Sequence, residues 1–323
     1  MNLSNSISDL PPRLVATSRE MLGDQAGYAW LTGIATVIDQ CEKQWHCTFA
    51  PPFSNLSINY VAPGTRDDGS DVVIKVCIPS PEYLTEVACL DHYNGDGALR
   101  LLARDDAKYT LLLERLIPGQ SLAHHHDPQE ALHIAASLMK RLWRCPQFPE
   151  LFPSVDIWIR HMAERSPLVL AQNHSFPSTW ILRALDYYAV LSRNHAEDVL
   201  LHGDLHMDNI LSGSREPWLA IDPKGVIGPS IWETGPIILN ALPKQKDASA
   251  NRTVITAVVN QLASELNMPV YLIAAWGMVR AVLSAWWTVE DHGQNWQDGI
   301  TVAEILSETA EAHKKQVHRT NTF

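Results

Sequence analysis

The 323-residue chain has little of what several functional classes require. It holds five cysteines, Cys41, Cys47, Cys77, Cys89 and Cys145, scattered, odd in number and without a C-x-x-C pair. That excludes a zinc framework and a disulfide scaffold, and leaves reduced thiols in a cytosolic protein as the simple account. Positive charge is scarce: 25 Lys and Arg stand against 36 Asp and Glu, a net charge of −11. Neutralising nucleic-acid phosphates takes clustered Lys and Arg, so a nucleic-acid partner is not expected. A net negative surface instead tolerates or attracts a cationic small molecule. No uncharged apolar run reaches membrane-spanning length, so no membrane partner is expected. The N-terminal MNLSNSISDLPPR lacks a basic segment followed by an apolar one, so no signal peptide is expected and the expected compartment is the cytoplasm. Internal repeats and low-complexity tracts are absent. A monomer and a homodimer both remain open.

What is present is enough apolar residue, 46%, for a large core and two lobes. Residues 1–44 read as a polar start and a helix, with Trp30, Leu31, Ile34, Val37 and Ile38 at helical spacing. The period then changes. Trp45 to Ala50, Leu56 to Ala62 and Val72 to Cys77 are short apolar or alternating runs separated by PPFSN and PGTRDDGSD, which predicts three antiparallel strands. Ser80 is a candidate N-cap and Pro81 a first helical residue for a helix to about Tyr93, stopped by NGDG. Two further strands are expected at Leu99 to Ala103 and Tyr109 to Leu116. From Pro118 the pattern is mostly helical, over 130–143, 157–170, 180–192, 254–265, 270–290 and 303–317. Val199 to Ile221 is the exception: short apolar runs flank loops, with Gly213 to Pro217 as a tight connection. Such a strand-loop element in a helical lobe holds catalytic groups rigidly.

That element carries LHGDLHMDN, residues 201–209, with Asp204 five positions before Asn209 and Asp222 thirteen further on, in WLAIDPKG. Asp, Asn and Asp in this order suit phosphoryl transfer: a base for the acceptor hydroxyl and two oxygen ligands for Mg²⁺. A carboxylate ending the apolar run Trp218 to Ile221 needs a partner or a metal, and Mg²⁺ takes few protein oxygens beside phosphate oxygens. Lys75, in DVVIKVCIP, is a charge inside a strand-like run. Glu86, eleven positions later on the Pro81 helix, is its natural partner, with Glu82 the runner-up and a protective edge-strand lysine the bland alternative. No glycine-rich phosphate loop is visible. Its place reads PPFSNLS, where Ser54, Asn55 and Ser57 are either phosphate donors or ordinary turn residues. LLLERLIPG, residues 111–119, is the expected hinge. Arg115 and Ile117 are the main-chain positions for a nucleotide base, or else part of a plain linker. His202 and His206 read as hydrogen-bonding scaffold, and His124 to His126 as a polar loop rather than a metal site. Trp286, Trp287, Glu290, Asp291 and Trp296 form either a clamp for a cationic or sugar-like acceptor or a helix core with an acidic end.

Together, VIKV at 73–76, LLLERLIPGQSL at 111–122, LHGDLHMDNIL at 201–211 and WLAIDPKGVIGPS at 218–230 resemble the aminoglycoside phosphotransferase superfamily, in particular its streptomycin 6-phosphotransferase and hydroxyurea phosphotransferase branch. The resemblance spans about residues 45–295. It implies an α+β, bilobal protein-kinase-like fold with a small antiparallel five-stranded N-lobe, one key helix, and a larger, mainly helical C-lobe. The boundaries expected are 1–44 for an N-terminal helical extension on the N-lobe, 45–117 for the nucleotide-binding N-lobe with its hinge at 113–117, and 118–323 for the C-lobe with the catalytic loop, metal site and acceptor pocket. It also implies ATP, with GTP as the alternative donor, and Mg²⁺. The family pattern follows IDPKG-x-x-G with an acid, an aromatic and Asp-Leu-Ala. Here PSIWETGP puts Pro229 in place of the acid and Glu233 in place of the Asp that supports the catalytic loop. The acceptor region around Trp232 and Glu233 is therefore expected to differ.

The expected activity is phosphorylation of a small-molecule hydroxyl, of streptomycin-like aminoglycoside type. Asp204 is the base, Asn209 and Asp222 the metal ligands. Lys75, Glu86, Ser54, Asn55, Arg115 and Ile117 form the nucleotide site, and Trp232, Glu233, Trp287, Glu290 and Asp291 are the acceptor residues. The alternatives are a metabolic kinase of an amino sugar, sugar or amino alcohol, and a nucleotide-binding pseudokinase.

Overall fold

The computed structural model describes residues 7, 10–172, 175–193, 197–241, 248–293 and 295–320; the side chains of 248, 291–292 and 315–320 lie outside the description. The chain divides into two compact units, Met1–Gly119 with Gly213–Pro217, and Gln120–Ser212 with Trp218–Phe323.

The first unit is built on a sheet. Helices α1 (Pro12–Leu22) and α2 (Asp24–Trp45) precede β1 (Cys47–Phe49), β2 (Tyr60–Arg66) and β3 (Asp71–Val76). Helix α3 (Pro81–Tyr93) follows, then β4 (Leu101–Asp105) and β5 (Thr110–Glu114). The order is β1-β2-β3-β5-β4, every neighbouring pair antiparallel. Side chains alternate faces along a strand, and β3 uses both. Val72, Ile74 and Val76 point into a core with Leu31, Ile34 and Ile38 of α2 and Leu14 of α1. Lys75 therefore points to the other face, where α3 lies.

Three expectations need correction. The second strand starts at Tyr60 rather than Leu56 and runs through Pro63 and Gly64 into what reads as turn. Pro63 is tolerated because its carbonyl accepts from Ala50 N–H (2.8 Å) at the end of the short β1, so its missing N–H falls where the ladder stops. Residues 12–22 form a helix where only a polar start was expected. Just Leu14 and Ser18 are buried on it, too few for an apolar stripe, and Pro12 opens it at a favoured position. Ser80 does stand at the N-cap of α3, but its side chain makes no capping bond.

The second unit is mainly helical. Helix α4 (Pro128–Leu142) is capped by Asp127, whose carboxylate accepts from Gln129 and Glu130 N–H. Helices α5 (Val155–Gln172) and α6 (Ser178–Leu191) lead to β6 (Asp198–Leu201), β7 (Ile210–Ser212), β8 (Trp218–Ala220) and β9 (Val226–Pro229). The strands pair as β6–β9 and β7–β8, both antiparallel, so one hairpin is nested in the connection of the other. Helices α7 (Thr234–Asn240), α8 (Ala248–Leu266), α9 (Val270–His292) and α10 (Gln297–Thr320) complete the unit. The stretch Val270–Glu290 of α9 has mean hydropathy 1.4 and the length of a membrane span. It is 78% buried within the fold, so its apolar circumference is matched by protein.

Candidate active site

The two nested hairpins bring the ends of the 202–209 loop and the 221–225 turn together. His202 is the fastener. Its ring is buried, and Nε2 lies 2.8 Å from the Ile221 carbonyl, which only accepts, so Nε2 carries the proton. Burial drives its pKa down to about 4, which keeps it neutral and leaves Nδ1 to accept from Asp204 N–H at 3.3 Å. The His202 carbonyl accepts from Lys224 and Gly225 N–H at 2.8 and 3.2 Å. Between these, Gly203 takes φ +83, and a Cβ there would come within 3.0 Å of Val226 Cγ1.

Asp204 is half-buried, and its carbonyl is held by two donors, His206 N–H and Asn209 Nδ2, both at 2.9 Å. The second bond fixes the Asn209 amide and leaves Oδ1 for another partner. Ile221 N–H donates to the Asn209 carbonyl at 2.9 Å, so Asn209 and the next residue, Asp222, are tied through backbone. Asp222 is exposed with φ +56, a conformation that Asp adopts more readily than most residues and that recurs at functional sites. A carboxylate and an amide oxygen are hard donors suited to a divalent cation that keeps phosphate and water ligands. Among the described residues, no group of three or more His, Cys, Asp or Glu could hold a metal, His124 to His126 included.

Glu233 ends the short 3-10 turn Ser230–Glu233 and is 1% exposed. Its two oxygens accept from His202 N–H (2.7 Å) and Gly203 N–H (3.0 Å), so it braces the loop from behind. Burial pushes its carboxyl up to about 7, against the pull of those N–H donors. The expectation that Trp232 and Glu233 line an acceptor pocket is not met: both are sealed in the core, Glu233 by its bonds to the loop and Trp232 against Trp276. Glu290 pairs with Arg165 at 3.3 Å, and Trp287 stacks beside Trp158 and under Arg280. The Asp291 side chain lies outside the described residues.

A cavity of about 230 Å³ within the second unit is bordered by Asp204, Asn240, Arg280, Ser284, Thr288 and Asp298, among others. Of the described side chains in the expected tryptophan-acid cluster, Trp296 also lines it. Arg280 was not legible as a site residue. Its only signal is that it breaks the apolar run of α9.

In the first unit, Lys75 Nζ donates to Glu86 Oε1 at 2.6 Å with both side chains nearly sealed. Ser54 and Asn55 lie exposed in a turn. The Arg115 side chain pairs with Asp71 at 3.0 Å, and Ile117 is exposed just past the end of β5. Arg215, at the tip of the β7–β8 connection, binds both Glu114 oxygens at 2.9 Å and the carbonyls of Gly95 and Ala98, a clamp on β5 that the sequence pattern did not single out.

The family model described as aminoglycoside/hydroxyurea antibiotic resistance kinase matches residues 50–292. A streptomycin 6-kinase of Streptomyces griseus is 28% identical over 87% of this chain and 91% of its own length. A hydroxyurea phosphotransferase of Kitasatospora aureofaciens is 30% identical over 93% of this chain and 86% of its own. Among solved structures, a thermostable mutant of aminoglycoside phosphotransferase APH(4)-Ia, in ternary complex with ADP and hygromycin B, superposes with a TM-score of 0.59 at 12% identity, covering 85% of this chain and 98% of that one. Its likeness places this protein in the protein-kinase-like fold. The chain belongs to the aminoglycoside/hydroxyurea antibiotic resistance kinase family and is a phosphotransferase.

Proposed function

We propose that this protein transfers the γ-phosphoryl group of ATP to a hydroxyl of an aminoglycoside-type small molecule, with Asp204 as the base. The acceptor oxygen attacks the γ-phosphorus, its proton passes to the Asp204 carboxylate, and the bond to the bridging oxygen breaks to release ADP. The observation that carries this reading is the single bonded frame of the second unit. Glu233 and His202 fix the Asp204 loop, Asn209 is oriented by the Asp204 carbonyl, and a polar cavity opens beside Asp204. Asn209 Oδ1 and the Asp222 carboxylate fit Mg²⁺, which when bound supplies charge neutralisation for the phosphates. In the first unit, Lys75 held by Glu86 offers an ammonium to nucleotide phosphates, and the 113–117 segment offers main-chain groups to the base. Catalysis then rests on positioning and on charge stabilisation.

A second reading, a kinase of an amino sugar, sugar or amino alcohol, uses the same residues. The modest cavity favours it, since about 230 Å³ falls below the range of roughly 300–1,000 Å³ common for larger ligands. Mass spectrometry after incubation with MgATP separates the two. A gain of about 80 Da on streptomycin or another aminoglycoside supports the first reading. The same gain only on single-ring amino sugars or polyols supports the second, and a gain on no compound overturns both.

A further inference from the structure

We propose that Arg280 binds the acceptor: its guanidinium takes an oxygen of a neutral or anionic group (hydroxyl, carbonyl or carboxylate) next to the hydroxyl that Asp204 orients. The enzyme would then discriminate against acceptors that carry an ammonium or guanidinium at that position. The inference rests on the reading that the cavity beside Asp204 receives the acceptor.

Arg280 lies in the middle of α9 and is 4% exposed. Arginine is always charged and carries five N–H donors, so a buried one is normally paired. Here Nε and Nη1 are both buried without a hydrogen-bond partner. The cation is held instead by faces. Its Cζ sits 4.8 Å from the Trp287 ring centroid and 6.0 Å from that of Trp232. Its stem passes over Gly235, where a Cβ would come within 2.5 Å of Arg280 Cγ. The side chain is thus fixed in place while its Nε and Nη1 donors stay unused, and it borders the same cavity as Asp204. Unsatisfied buried donors in a folded protein ask for an explanation, and a ligand oxygen supplies the missing acceptor. The negative groups of the cavity are Asp204 and the exposed Asp298, and the remaining polar lining (Asn240, Ser284, Thr288, Asn295) is neutral and suits hydroxyls. Ammonium substituents on an acceptor therefore belong at Asp298 rather than at Arg280.

The rival explanation is purely structural: Arg280 holds the negative charge of Asp204 and Glu233, both of which act on it electrostatically. Arg280→Lys keeps the charge but loses the planar fork of donors. Steady-state kinetics would be run on streptomycin, hydroxyurea, glucuronate and two matched pairs: glucose with glucosamine, and myo-inositol with a monoamino-inositol. For whichever compounds the parent enzyme phosphorylates, the expected result is an acceptor KM at least tenfold higher in Arg280→Lys with the ATP KM unchanged. An unchanged acceptor KM overturns the inference and leaves the kinase reading intact. Should Arg280→Lys fail to fold by circular dichroism, the parent enzyme alone decides. A tenfold higher kcat/KM for the hydroxyl member of a pair over its amino counterpart supports the inference, and equal use or the reverse order overturns it. Transfer to none of these compounds overturns the reading it rests on, and the inference with it.

Discussion

Replacing Glu233 by Gln tests the frame behind the catalytic loop. In the parent, one carboxylate accepts from His202 N–H at 2.7 Å and from Gly203 N–H at 3.0 Å. A Gln keeps one oxygen and turns its NH₂ toward the other N–H, so one buried donor loses its acceptor. A bond to a charged group contributes about 1.5–3 kcal/mol, and an orphaned buried donor costs about 1–3 kcal/mol. The two overlap, so a loss of about 2–4 kcal/mol is expected in urea unfolding at pH 8. The displaced loop should lower kcat by about tenfold to a hundredfold. The pH dependence adds a second check. Burial raises the Glu233 pKa from 4.5 to about 7, so the folded state holds this proton more tightly than the unfolded state. The stability it contributes is fully present below pH 4.5 and is lost as pH rises through 7, roughly 3 kcal/mol in all. Gln cannot titrate, so the gap between parent and variant should be smallest above pH 7 and widen as pH falls toward 4.5. A variant within about 0.5 kcal/mol of the parent at every pH, with kcat unchanged, would refute the bracing role.

Lys75→Met leaves the sealed Glu86 carboxylate without its cation, and should cost about 3–5 kcal/mol in stability. Adding Glu86→Gln should recover most of that stability, while the ATP KM stays raised. Recovery of ATP affinity in the double variant would count against a phosphate-binding Lys75. Asn209→Ala removes both the bond to the Asp204 carbonyl and the amide oxygen proposed for Mg²⁺. The Mg²⁺ concentration for half-maximal rate should rise about tenfold or more, and an unchanged Mg²⁺ requirement would place the metal elsewhere.

How much of this was legible follows from where the information resides. The Asp204, Asn209 and Asp222 spacing is local, because one nested hairpin pair sets it, and a strand-loop reading of 199–221 recovers it. Lys75 with Glu86 is nearly local too: a charge in a strand run and the next helix leave few partners. The second strand was misplaced because Pro63 and Gly64 carry turn chemistry, while the short β1 that tolerates them is a tertiary fact. Helix α1 lacked an apolar stripe to announce it. Burial is also a tertiary property, which is why Trp232 and Glu233 read as acceptor residues from their place in PSIWETGP yet lie sealed beneath the loop. Arg280 is the clearest case. Within α9 it reads as a lone charge among apolar residues, and only the packing of two indoles and Gly235 around it shows a fixed, unpaired guanidinium beside Asp204.

The central claim is that Asp204 performs the chemistry within a frame that does not depend on its carboxylate. Its loop is held through the backbone of residues 202–209 and through Glu233, none of which uses the Asp204 side chain. Asp204→Ala should therefore keep the parent's fold by circular dichroism and bind MgATP with unchanged affinity by calorimetry, while phosphate transfer to the acceptor falls by about a thousandfold or more. Undiminished transfer by a folded, nucleotide-binding Asp204→Ala would contradict the account.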